Sequence, residues 1–151
     1  METINGIPLD LNEIPFGWCN CFCDGCPKHT DCLHYEVGRH LPMSTTYGYA
    51  IYPMAYQQGD CPHFRPIRVI KVAWGFRGLF YEVKEKDGTY LRNKMMHYLG
   101  GRTTYYRYNK GERLLTPEQQ QWIMNLFAKQ GYDTKGLSFD HYREVLDHGG
   151  W

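Results

Sequence analysis

The sequence predicts a mainly α-helical domain of α+β type. One short strand or hairpin and an N-terminal cysteine-rich metal loop complete it. Three observations carry that expectation. Apolar residues recur at three-and-four spacing over 68–83, and again over 90–99 and 116–127, the period of a helix with one buried face. A single run, Thr45, Tyr47, Tyr49, Ile51, alternates with period two. Five of the six cysteines fall between Cys19 and Cys32, and thiols that dense call for a covalent or metal partner. The expected organisation is a cysteine-rich lobe over 1–64 and a helical domain over 65–151, together one compact unit.

At 151 residues the chain suits one domain or a domain with a small lobe. Its 13 tyrosines supply enough ring surface for a real core. No apolar run approaches the roughly 20 residues of a membrane span, so no membrane partner is expected. The start, Met-Glu-Thr-Ile-Asn-Gly-Ile-Pro-Leu-Asp, has neither basic residues nor a long apolar stretch. The expected compartment is therefore a reducing cytoplasm, where clustered cysteines read as metal ligands before disulfides. Charge is uneven under a net +1. Residues 1–63 carry two basic against seven acidic groups, 64–114 twelve against four, and 115–151 three against five. A basic middle between acidic flanks suits an anionic partner.

In order, residues 1–18 read as an extended arm broken by Pro8, Pro15 and Gly17. Residues 19–32 form the thiol loop, and Leu33–His40 a short helical turn before Pro42. The alternating strand stops at Pro53. Val69, Val72, Ala73, Phe76, Leu79, Phe80 and Val83 predict a helix from Arg68, ended by Lys86-Asp87-Gly88. Tyr90–Leu99 is the next helix, terminated by Gly100-Gly101. Arg102–Tyr108 is a short aromatic and basic segment. Thr116-Pro117-Glu118-Gln119 is a capping box with proline at the first helical position. The helix it starts buries Trp122, Ile123, Leu126 and Phe127. A last helix from Ser138 is expected to bury Phe139, Tyr142, Val145 and Leu146.

Four thiolates complete a tetrahedral zinc shell or hold a 4Fe–4S cluster. Cys21, Cys26, Cys32 and Cys61 form one such set. Cys23-Asp24-Gly25-Cys26 offers the C-x-x-C knuckle common in zinc sites, which keeps Cys23 and Cys19 as alternates. His29, His34 and His63 are near enough in sequence to replace a thiol. A complete shell points to a structural zinc rather than a catalytic one. No G-x-S-x-G, H-E-x-x-H or phosphate-binding glycine loop occurs, so neither an enzyme activity nor a small-molecule substrate is expected.

The stretch from Met95 to Arg113 resembles the helix-turn-helix of phage-repressor-type DNA-binding proteins. Leu99-Gly100 matches the end of the first helix, Arg102–Tyr108 the second, and Gly111 with Thr116-Pro117 the turn and capped helix beyond. Gly101 stands where that family has an apolar residue. The resemblance implies that Thr103, Thr104, Tyr105 and Arg107 face DNA or RNA, with Arg102, Lys110 and Arg113 near phosphates. A protein interface is the other partner the segment allows.

A longer set of motifs spans most of the chain: Cys21-x4-Cys26-Pro27-x4-Cys32-Leu33, Cys61-Pro62-His63-Phe64-Arg65, Ala73-Trp74-Gly75, Thr104–Tyr108, Glu112-Arg113 and Leu115–Gln120. In this order they resemble an uncharacterised family of small bacterial proteins, known chiefly from gut Bacteroidetes, from about Pro15 to Trp151. The resemblance implies that Cys21, Cys26, Cys32 and Cys61 are the shared cysteines. It demotes Cys19 and Cys23 and brings no activity with it.

Overall fold

The computed structural model describes residues 2–57 and 59–151. It divides into two compact units, residues 1–69 with 145–150, and residues 70–144 with Trp151.

The first unit is built from very short elements. Strands β1 (Thr3–Ile4) and β2 (Ile7–Pro8) form an antiparallel hairpin with Ile4 opposite Ile7. Its two-residue turn is Asn5-Gly6, both left-handed, with φ of 52° and 79°. Asn-Gly is the pair that tolerates that geometry and matches strand twist. The hairpin sets Ile4 and Leu9 among Leu33, Val37 and Leu146, the unit's small core. Strand β3 (Asn20–Cys21) pairs in parallel with β4 (Ala50–Ile51), Cys21 opposite Ile51. Helix α1 (Leu33–Arg39) buries Leu33 and Val37. Gly38 lets α1 approach β3 closely, since a β-carbon there would stand 2.7 Å from the Cys21 carbonyl oxygen.

The second unit has a larger core. Helices α2 (Arg77–Phe80), α3 (Glu85–Tyr98), α4 (Arg102–Lys110) and α5 (Pro117–Lys129) contribute Leu79, Leu91, Met95, Tyr105, Tyr108, Ile123 and Phe127. Phe76, Leu115 and Phe139 join them from the connections. The expected capping box forms in full: Thr116 Oγ1 accepts from Gln119 N, and the Gln119 side chain accepts from Thr116 N at 3.0 Å. Gly111 ends α4 in the left-handed region, φ 81°, against Trp74, whose ring leaves no room for a β-carbon. Strand β5 (Val69–Trp74) pairs with β6 (His141–Leu146). Asp140 N donates to Gly75 O at one end and Asp147 N to Arg68 O at the other, so the two strands run antiparallel. Among the described residues no helix is long and apolar enough to cross a membrane.

This architecture corrects the expected fold class. Rather than a mainly helical domain, the chain is an α+β mixture, with five α-helices and three two-stranded sheets among the described residues. The helix expected from Arg68 is strand β5, followed by the four-residue α2. Val69, Ile70 and Val72 favour extended backbone, and Gly75, φ 82°, turns the chain where a helix would run on. The helix expected from Ser138 is likewise strand β6, which pairs with β5, about 70 residues earlier. Lys86-Asp87-Gly88 lies inside α3 rather than ending a helix. The expected strand around Tyr47 shrinks to Ala50–Ile51. The helix-turn-helix-like core and the metal loop are corrected too, on side-chain positions given next.

Candidate metal cavity and basic helix face

Several short elements turn the thiol stretch back on itself. Cys21 sits on β3. Cys26 closes a turn, its N–H donating to Cys23 O at 3.2 Å. Its own carbonyl then accepts from His29 N at 3.1 Å, opening the 3₁₀ turn His29–Asp31. Cys32 precedes α1 and is buried. It is held by an isolated bridge to Pro66, in which Leu33 N donates to Arg65 O at 2.8 Å. A salt bridge from Lys28 Nζ to Asp60 at 3.1 Å ties the Cys26 turn to the residue before Cys61.

The result is a small cavity of about 30 Å³. Cys21, Cys26, Cys32 and Cys61 all line it, with His29 and His63 beside them and Tyr35, Tyr56 and Phe64 among its walls. His29 Nδ1 lies 2.7 Å from Cys26 O. A carbonyl only accepts, so Nδ1 is the donor there and Nε2 is the ring nitrogen left to other partners, the arrangement found in metal-bound histidines. Tyr35 packs edge-on against His29 and donates its hydroxyl to Asp24. Burial pushes the Cys21 thiol above its ordinary pKa, and the neighbouring Cys32, Cys23 and Cys26 push the same way against a lowering backbone hydrogen bond from Cys23. Cys21 is therefore within electrostatic reach of Cys23, Cys26 and Cys32.

All six cysteines are free thiols. Among the described residues no group of three or more His, Cys, Asp or Glu side chains is drawn together tightly enough to hold a metal ion. The thiols line one cavity without converging on a point, so the ready-made metal loop expected from the sequence is not what the chain forms. Cys19 and Cys23 lie outside the lining, and Cys19 Sγ faces Gly17 O at 3.7 Å. His34 is also elsewhere. Its Nδ1 meets Cys19 O at 2.6 Å, its ring stacks on Trp18 at 4.2 Å, and burial lowers its pKa. Sequence reasoning missed Tyr35, Tyr56 and Phe64, which carry no ligand signature.

Of the residues assigned to nucleic acid, Arg102, Thr103, Arg107 and Lys110 are exposed on α4 and Thr104 is half-buried. Tyr105 is in the core at 4% exposure, with its pKa pushed up to about 12 by burial. A side chain packed there reads no base, and this corrects the helix-turn-helix assignment at its central position. Arg107 pairs with Glu112 at 3.6 Å, and Arg113 packs over the Tyr108 ring.

Residues 2–148 match a family of unknown function, DUF6078. No curated protein and no solved structure shows significant similarity to the chain. With the match running over nearly its whole length, the chain belongs to the DUF6078 family.

Proposed function

We propose that the protein is a non-enzymatic metal-binding protein whose thiol cavity takes one structural zinc ion. The observation that carries this is the lining: the four cysteines Cys21, Cys26, Cys32 and Cys61, from four separate segments, border a single cavity. Burial and the neighbouring thiols oppose ionisation of Cys21, a penalty that a bound cation reverses. Coordination asks the sulfurs to swing inward, with His29 Nε2 as a substitute donor. The metal would then fix the short elements of the first unit, whose apolar core is small, as a crosslink does. A volume of about 30 Å³ has room for an ion or a water and favours zinc over a four-iron cube.

The test is metal analysis of protein purified without chelator, with cobalt(II) substitution read by its thiolate absorption. One zinc per chain is expected, with the cobalt spectrum of a sulfur-rich tetrahedral site. Cys26→Ser and Cys61→Ser are expected to lose both. Protein that binds neither metal overturns the proposal, and stoichiometric iron with sulfide selects the iron–sulfur reading in redox sensing or electron transfer.

A second reading concerns α4 itself. Its exposed Arg102, Arg107 and Lys110 form a short basic face suited to phosphate contacts without base readout. Anisotropy titration on duplex DNA and on RNA across salt checks it. Binding that weakens steeply with salt supports the reading, and a flat signal removes it.

A further inference from the structure

A second cleft lies wholly within the unit 70–144. It measures about 380 Å³, within the range of small-molecule sites. Its lining divides cleanly by chemistry. Phe76, Phe80, Tyr81, Tyr105 and Tyr106 give flat rings, and Arg77, Arg92 and Asn109 give donors. No carboxylate lines it.

The donors are positioned rather than loose. The Arg92 guanidinium lies over the Phe80 ring at 4.5 Å and reaches the Tyr105 hydroxyl. Asn109 Oδ1 accepts from Phe76 N at 2.8 Å, which fixes the amide and leaves its NH₂ group to donate. Arg77 is anchored by its backbone, whose N–H donates to Asp140 at 3.0 Å, while its side chain is exposed and has no ion-pair partner among the described residues. Tyr81 is 84% exposed and Tyr106 42%, so both rings are open in part at the cleft, Tyr106 with the Arg102 guanidinium over its ring at 5.8 Å.

Two guanidiniums in a lining that holds no carboxylate suit an anion, and arginine's planar fork fits carboxylate or phosphate oxygens. Exposed rings beside them select a flat apolar body, which stacks on tyrosine and arginine alike. We propose that this cleft binds a small planar ring compound bearing one carboxylate or phosphate, the anion held by Arg77, Arg92 and Asn109 and the ring by Tyr81 and Tyr106. This departs from the expectation of no small-molecule partner and goes beyond the proposed zinc site.

The experiment is an NMR titration of the full chain, following backbone amides with four probes: benzoate, adenosine monophosphate, inorganic phosphate and benzyl alcohol. Saturable shifts confined to residues 76–81, 92 and 105–109 are expected with benzoate or the nucleotide. The tighter of the two identifies the class, aromatic carboxylate or nucleoside phosphate. Phosphate and benzyl alcohol are expected to bind at least about tenfold more weakly, since each lacks half of the recognised chemistry. Arg77→Gln, on an exposed side chain, is expected to weaken binding at least about tenfold with the spectrum otherwise intact. Tyr106→Ala is expected to weaken the ring probes and leave phosphate unchanged. Phosphate binding as tightly as the ring anions, shifts scattered outside those residues, or an unchanged affinity in Arg77→Gln overturns the proposal.

Discussion

The two units solve the problem of holding a chain together in different ways. Residues 70–144 bury a continuous set of large side chains, with Leu79, Leu91, Met95, Leu115, Ile123 and Phe127 all at 0% exposure. Four helices lay apolar faces onto that core. The first unit has five buried residues in its core cluster, and among its described residues strands of two residues, short 3₁₀ turns and the seven-residue helix α1. It also leaves Phe16, Met43 and Tyr47 more than 90% exposed. A thin core beside six thiols is the pattern of a region whose order depends on more than apolar burial. A thick core lined by four helices needs no such help.

Substitutions that remove the same amount of ring from each unit probe the contrast hardest. Phe127→Ala empties a fully buried site and is expected to cost about 3–5 kcal/mol in urea unfolding. Phe16→Ala, at 98% exposure, is expected to stay within about 0.5 kcal/mol. Comparable losses would mean that the two cores are not as unequal as their burial indicates.

The units also differ in the pH limit each meets. Tyr105, pushed up to about 12, keeps its proton in the fold at pH values where the unfolded chain has lost it. Its contribution is full below about pH 10, then falls by about 2–3 kcal/mol as pH rises through the folded value. Tyr105→Phe is expected to flatten that decline in unfolding free energy between pH 10 and 12. In the first unit, burial holds His148 below its ordinary pKa. Its contribution is therefore present above the unfolded value and is lost as pH falls below about 6.5. Hydrogen exchange across an acid series is expected to show 1–69 opening before 70–144.

The smallest effect sharpens the helical side alone. Thr116→Ala removes one half of the capping box and is expected to cost about 1 kcal/mol. The loss should appear as faster exchange in the first turn of α5. No change in exchange would mean that Pro117 and packing suffice to start that helix.

What could be read in advance follows the range of each interaction. The start of α5 was legible because Thr116, Pro117 and Gln119 act within four residues. Helix α1 was legible from its boundary at Pro42. β5 and β6 were not, because Val69, Val72, Ala73 and Phe76 satisfy a helical spacing while the pairing that makes them a strand lies far along the chain. α3 ran through Gly88 because the burial of Leu91 and Met95 on the same helix outweighed the glycine's local cost. At the site, residue type announced the four cysteines that now share a cavity. The walls supplied by Tyr35 and Tyr56, and the cleft between Phe76 and Asn109, arise from side chains that look like ordinary core. Tyr105 misled in the other direction, a polar-tipped ring on a basic segment that turned inward.

Leu146 belongs to the same small core as Ile4, Leu9 and Leu33, with the unit 70–144 intervening in the chain. On a ribosome moving at 5–20 residues per second, roughly 4–16 s separate the synthesis of Ile67 from that of Leu146. The usual order, in which the leading segment matures first, is therefore inverted. The core cluster from Ala73 to Phe139 is already complete while the earlier segment still waits for Leu146. Throughout that interval the nascent protein displays Ile4, Leu33, Val37 and a run of reduced thiols to the cell, which is when chaperones, oxidants and metal ions have their widest access to it.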